Sequence, residues 1–195
     1  MTTFYLIRHA SNDYLTDKKI AGWLPAVHLN EKGRKEAEQM AAKLGGEPIR
    51  AIYSSPLERA TETAEPLARK LGLKIQPSEG LGEIKFGDWT DKSLKELDQD
   101  PRWARWNSFR SGTQAPKGDL MIEAQTRIVR EMLLLRDKHP NESVALVTHG
   151  DIVKAAVAYF AGIPLDLFLR IEVAPASVSI IALDDYGPRI LRVNG

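Results

Sequence analysis

The chain has 195 residues, 43% of them hydrophobic and 27% charged, a size and balance that suit one ordinary globular domain and exclude disorder and fibrous repeats. Lys and Arg number 27 against 26 Asp and Glu, so the formal charge of +1 supplies no global field for nucleic acid or an anionic membrane, and any anion site must be a local cluster. The absence of cysteine excludes disulfides, thiolate metal sites and a cysteine nucleophile, and fits a reducing compartment.

The first apolar run, Phe4 to Ile7, is too short for a signal peptide and reads as a strand. A helical stripe of Ala37, Met40, Ala41 and Leu44 follows, with Asn30 as its N-cap and Gly45 as its stop. Ala51 to Tyr53 is a second strand. It leads into a second stripe, Leu57, Ala60, Ala64, Leu67, Ala68 and Leu71, closed by Gly72. From Gly80 to Gly118 the rhythm breaks: Trp89, Trp103, Trp106 and Phe109 are mixed with several Gly and Pro, with no long periodic segment, as in an excursion off a sheet. A helix is expected from about Leu120 to Lys138, a strand at Val144 to Val147, and a helix carrying Ile152, Val153, Ala156, Val157 and Phe160 that stops at Gly162 before Pro164. Val178 to Leu183 is the last expected strand.

This alternation predicts a three-layer α/β/α sandwich with a mostly parallel central sheet. The Phe4 and Val144 strands, apolar on consecutive residues, belong at its centre. With no repeat and no Gly/Ser linker, residues 1–195 read as one domain with an irregular, cap-like excursion at about 80–118. The longest mostly apolar stretch, Ala155 to Leu165, falls short of the roughly 20 residues that span a bilayer, so the expected location is cytoplasmic with no membrane partner.

Four segments carry chemistry. Arg8-His9-Ala10 ends the first strand and Thr148-His149-Gly150 ends the Val144 strand. In a parallel sheet, ligands bind outside the carboxyl ends of the strands, so the two histidines face one site if their strands are neighbours. Singly, each could equally be a hydrogen-bonded structural residue. Ser54-Ser55-Pro56-Leu57-Glu58-Arg59 opens the second helix and puts Arg59 among free backbone N–H groups, where it can clamp an anion together with Arg8; the plain alternative pairs it with Glu58 or Glu62 on a solvated face. Glu83, in Leu81-Gly82-Glu83-Ile84-Lys85-Phe86-Gly87-Asp88-Trp89, is either a surface glutamate in a turn or a carboxyl group whose apolar surroundings raise its pKa until it can donate a proton near neutrality.

These four segments, in this order, resemble the histidine phosphatase superfamily in its phosphoglycerate mutase-like branch, over nearly the whole chain. The resemblance implies that His9 is the nucleophile that becomes phosphohistidine, that Arg8, Arg59 and His149 surround the phosphoryl group, and that Glu83 protonates the leaving oxygen. It implies a phosphomonoester hydrolase that needs no metal and no cofactor, takes a small phosphorylated substrate, releases inorganic phosphate and binds no nucleic acid; a homodimer is compatible with it. The sequence departs from the family where Leu15 stands in place of an asparagine on the phosphate, a contact that Ser11 or Asn12 can replace, with Gly150 also beside the phosphate. Trp89-Thr90-Asp91 replaces the family's Trp-Glu-Gly.

The alternative within the family is a cofactor-dependent phosphoglycerate mutase, kept open by Arg102, Arg105 and Arg110 among the aromatic residues Trp103, Trp106 and Phe109, which either wall a pocket or pack the excursion. A metallohydrolase built on His9, His149 and Glu83, and a phosphate-sensing binding module without turnover, are the readings from other classes. His28 and His139 are expected to be exposed structural residues, and Asp13 and Asp88 are the substitutes for Glu83 should it fail as the acid.

Overall fold

Phe4 to Ile7 and Val144 to Val147 have no polar side to turn toward water, and both runs lie in the middle of one sheet. The computed structural model describes residues 1–195. Its elements are β1 (Thr2–Arg8), α1 (Asp13–Thr16), α2 (Glu31–Leu44), β2 (Ile49–Ser54), α3 (Glu58–Leu71), β3 (Ile75–Pro77), α4 (Leu94–Leu97), α5 (Pro101–Ser108), α6 (Met121–Lys138), β4 (Ser143–Thr148), α7 (Gly150–Ala161), β5 (Val178–Asp184) and β6 (Gly187–Arg192). The six strands take the order β3-β2-β4-β1-β5-β6. Pairing is parallel from β3 through β1 and antiparallel on either side of β5, so β5 alone runs against the others.

Because side chains alternate along a strand, β1 and β4 feed two cores. On one face Tyr5, Ile7, Ala145 and Val147 meet Met40, Ala41 and Leu44 of α2 and Ala60, Ala64 and Leu67 of α3. On the other, Phe4, Leu6, Val144 and Leu146 meet Ile128 and Met132 of α6 and Ile152, Val153 and Ala156 of α7. The layers are therefore helix, sheet, helix. Asn30 caps α2 by accepting the Gly33 N–H, and α3 and α7 close on the left-handed Gly72 and Gly162, as the sequence predicts. No helix is long and apolar enough to cross a membrane.

The structure adds what the sequence did not show. The edge strands β3 and β6 are short or mixed in polarity and carry no apolar run. The 80–118 excursion is not devoid of helix: Asp100 accepts from Arg102 N and Pro101 starts α5. From α5 Trp106 is driven into the larger core against Phe86 and Trp89, while Phe109 stays exposed. His139 is a further correction. Instead of being exposed it is half-buried at the end of α6, where its Nε2 lies 3.0 Å from the Tyr53 hydroxyl and its Nδ1 2.8 Å from Glu142. His28 is exposed and paired with Glu62.

Candidate active site

The parallel register sets Arg8 opposite Thr148, so the next residue of each strand leaves the sheet at the same end. The His9 N–H donates to Thr148 O at 2.7 Å, which extends the ladder one step beyond β1. The two imidazoles lie with ring centroids 5.2 Å apart at 63°, and both are buried. His9 Nδ1 is 2.8 Å from the Ala10 carbonyl oxygen. A carbonyl can only accept, so Nδ1 carries the proton and Nε2 keeps its lone pair. His149 is fixed from both sides: Nδ1 lies 3.4 Å from Arg59 Nη2, which can only donate, so Nε2–H donates to Ser55 Oγ at 2.9 Å. Burial first, and then the nearby Arg59 charge, hold both pKa values well below the ordinary histidine range, so both rings are neutral.

Arg59, in the first turn of α3, is buried and not on a solvated face. Its Nη2 donates to Gly22 O at 2.7 Å, whereas Nη1 is buried without a partner. Glu58 and Glu62 are occupied elsewhere, by the N–H groups of Ala26 and Leu29. Arg8 Nη1 donates to Val173 O at 2.6 Å, and its buried Nε has no partner. A Cβ on residue 150 would stand 3.0 Å from that Nε, so the glycine gives the Arg8 guanidinium its place against α7. Buried polar groups in native proteins are almost always hydrogen-bonded. Two unpartnered guanidinium N–H groups beside two neutral imidazoles therefore form an arrangement suited to an oxyanion.

Glu83 follows a short 3-10 turn at Glu79–Leu81, and its backbone carbonyl accepts from Arg127 Nη2 at 3.0 Å and from the Trp23 indole. One carboxylate oxygen accepts the Ile84 N–H at 3.0 Å and the other lies 3.7 Å from His149 Nδ1. The side chain is 14% exposed. Burial, reinforced by the charge of Asp151 and opposed by Arg59, the Ile84 N–H and Arg8, raises its pKa from 4.5 to about 7. It is thus a carboxyl group able to hold or release a proton near neutrality.

Arg8, His9, Asn12, Arg59, Glu83 and Gly150 all line one cleft, and His149 backs it. Asn12 spends its side-chain oxygen on the Leu15 N–H as the cap of α1, and its amide nitrogen makes no other hydrogen bond. Ser11 is the exception among the expected residues: it is absent from the cleft wall, and Glu36 takes both its N–H at 2.8 Å and its hydroxyl at 3.0 Å. Asp13 and Asp88 are also outside the cleft, held by Asn30 and Lys117.

Four polar residues of the wall escaped the sequence reading: Tyr14, Lys19, Asp151 and Lys154. The last two lie one and four residues beyond Gly150, so the cleft-ward face of the helix after Thr148-His149-Gly150 was the available signal. Arg102, Arg105 and Arg110 do not line the cleft. Arg102 pairs with Asp100 at 2.7 Å and Arg105 is exposed. Arg110 is buried between the rings of Trp106 and Phe168, 4.9 and 4.7 Å from their centroids, and its Nη1 holds Asp151 at 3.0 Å. No group of three or more His, Asp or Glu side chains is arranged to hold a metal ion.

The chain is similar to known proteins over nearly its whole length. The family model described as histidine phosphatase superfamily (branch 1) matches residues 4–195. Phosphoserine phosphatase 1 of Hydrogenobacter thermophilus is 27% identical over 100% of this chain and 92% of its own length. The 2,3-bisphosphoglycerate-dependent phosphoglycerate mutase of Thermoplasma acidophilum is 27% identical over 92% of this chain and 86% of its own. A solved mycobacterial glucosyl-3-phosphoglycerate phosphatase, in complex with VO3, is 26% identical, superposes with a TM-score of 0.90, and is covered to 98% by 99% of this chain.

Proposed function

This chain belongs to branch 1 of the histidine phosphatase superfamily, and from that premise we propose that it hydrolyses the phosphomonoester of a small metabolite through a phosphohistidine on His9. The observation that carries the reading is the neutral His9 with its proton fixed on Nδ1, beside two buried guanidinium groups that each have an unpartnered N–H.

A phosphoryl group entering the cleft gives Arg8 Nε and Arg59 Nη1 the acceptors they lack, with the His149 ring behind them, where it receives one N–H of Arg59. Charge on the transferring phosphoryl spreads over its equatorial oxygens, so fixed cationic donors supply most of the stabilisation. His9 Nε2 attacks phosphorus as the ester P–O bond breaks, and Glu83 gives its proton to the leaving oxygen, so an alcohol and not an alkoxide departs. Glu83, now a carboxylate, takes a proton from the water that attacks the phosphohistidine. The P–N bond breaks, inorganic phosphate leaves, and both His9 and Glu83 return to their starting states.

A phosphoglycerate mutase must hold a small bisphosphorylated acid and shield the phosphohistidine from water. Arg102, Arg105 and Arg110 would be its extra cations; none of them lines the cleft, and Arg102 and Arg110 are paired with Asp100 and Asp151, which favours the phosphatase. The test is rapid-quench labelling with a phosphorus-labelled phosphomonoester in the presence of a chelator. Wild type is expected to accumulate an acid-labile phosphoenzyme and to turn over; His9→Ala is expected to form none. Phosphoenzyme surviving in His9→Ala would move the nucleophile elsewhere, and loss of wild-type turnover on chelation would replace this mechanism with a metal-dependent one.

A further inference from the structure

Beyond the phosphoryl cradle, the cleft wall carries two lysines in different electrostatic situations. Lys19 is neutralised: Asp91 lies 3.3 Å from its ammonium and also accepts from the Tyr14 hydroxyl at 3.0 Å. Lys154 is half-buried, has no acidic partner within 4.0 Å and makes no hydrogen bond. The nearest carboxylate along its own helix, Asp151, could have served at the i, i+3 position, but Arg110 has taken it from a sandwich of two aromatic rings. Lys154 also stands in the N-terminal half of α7, where the helix dipole favours anions and a cation gains nothing for the fold. The Lys154 ammonium therefore stands in the cleft wall without a counter-charge, and its position supplies no structural return.

The position does suit a ligand. Lys154 is four residues along α7 from Gly150, about 6 Å by helix rise, so it stands one turn away from the cradle in which the phosphoryl group sits. Leu15, Ile20 and Phe86 give the same cleft apolar wall against which a short carbon skeleton can lie. We infer that Lys154 is a specificity residue that receives a carboxylate of the substrate, so that this site prefers phosphorylated small acids to phosphorylated alcohols of the same size. The inference rests on the phosphatase reading above and deepens it.

The test compares wild type, Lys154→Met and Lys154→Arg on 3-phosphoglycerate, on glycerol 3-phosphate, which has a hydroxyl in place of the carboxylate, and on para-nitrophenyl phosphate, which reports on the cradle alone. Wild type is expected to favour the acid by at least about tenfold in kcat/KM. Lys154→Met is expected to lose about 10- to 100-fold on 3-phosphoglycerate, mainly through KM, and less than about threefold on the other two substrates, with Lys154→Arg retaining most of the preference. Equal losses on all three substrates, or no wild-type preference, overturns the assignment. If wild type turns over none of them, the phosphatase reading fails, and calorimetry still decides the role of Lys154: binding of 3-phosphoglycerate at least tenfold tighter than glycerol 3-phosphate, lost in Lys154→Met, supports it, whereas equal affinities or no binding of either ligand sinks it.

Discussion

The cradle and the excursion meet at the same cleft but are built by opposite means. His9, Arg8 and His149 are carried on the ends of two central strands, and Arg59 on the first turn of a helix that packs on them; the His9 tautomer and both guanidinium directions are set by backbone carbonyls, and only His149 takes its tautomer from side chains, Arg59 and Ser55. The excursion from residue 80 to 118 has a few backbone bonds, such as Asp91 N–H to Ile20 O and Asp88 N–H to Pro116 O, but leans mainly on side chains: Trp89 and Trp106 in the core, Arg110 between two rings, Asp100 capping α5. Backbone-set geometry tolerates change around it, whereas side-chain-set geometry is only as good as each packing partner. Chemistry is accordingly a property of the sheet, and the excursion shapes what reaches it. Glu83 is the exception, a chemical residue placed in the excursion.

Glu83 is therefore where the division is easiest to break, and after loss of the His9 nucleophile Glu83→Gln has the largest expected effect. An alkyl alkoxide leaves poorly without a proton, so phosphoenzyme formation from an alkyl phosphate should slow by about 10²–10⁴-fold, and distinctly less from para-nitrophenyl phosphate. Single-turnover rates check this, and equal losses on both substrates would remove Glu83 from the acid role. The same proton gives a pH dependence. With its pKa at about 7, Glu83 is protonated below that value and the alkyl-to-aryl rate ratio should fall as pH rises through it; in Glu83→Gln the ratio should be flat. Stability follows with a definite sign. Between 4.5 and about 7 the folded protein holds a proton that the unfolded chain has released, so this group's contribution declines as pH rises through that window. Denaturant melts should show Glu83→Gln gaining on wild type over the same interval.

Trp106→Ala should separate stability from chemistry. Emptying a fully buried tryptophan site is expected to cost about 3–5 kcal/mol, read as a shift in denaturant midpoint, while the folded fraction keeps its rate with para-nitrophenyl phosphate to within a few-fold. A smaller effect, about tenfold in kcat/KM, is expected for Gly150→Ala, whose methyl group crowds Arg8 Nε, with the thermal midpoint changing little. At the lower end, His139→Ala should cost about 1 kcal/mol of stability, through the lost contacts to Tyr53 and Glu142, without changing turnover. His28→Ala, at an exposed ion pair, should be nearly silent in both assays.

The part of the molecule legible in the sequence follows the same division. Consecutive apolar residues announce β1 and β4, and 3.6-residue stripes announce α2, α3, α6 and α7, because burial on a regular element forces a regular pattern. The convergence of His9 and His149 follows from strand ends alone. What Arg59 and Glu83 do depends on burial, and a glutamate in a loop has no periodicity from which burial can be read. Eight residues of α5 are too few to show a period, although Asp100-Pro101 is a readable cap. The roles of Ser11 and Asp151 turn on which partner reaches them first, Glu36 in one case and Arg110 in the other, and such long-range pairings are invisible along the chain.

The His9 amide, bonded to Thr148 O in the ladder between β1 and β4, cannot open unless two central strands part, which is the event that melts the whole fold. Its exchange with deuterium should be as slow as that of Leu6 or Leu146, while amides in the turns at 110–118 exchange early. On heating, the two halves of the site should then fail in sequence. Discrimination among substrates should fade first as the excursion loosens, and turnover of a small aryl phosphate should persist until the sheet itself gives way.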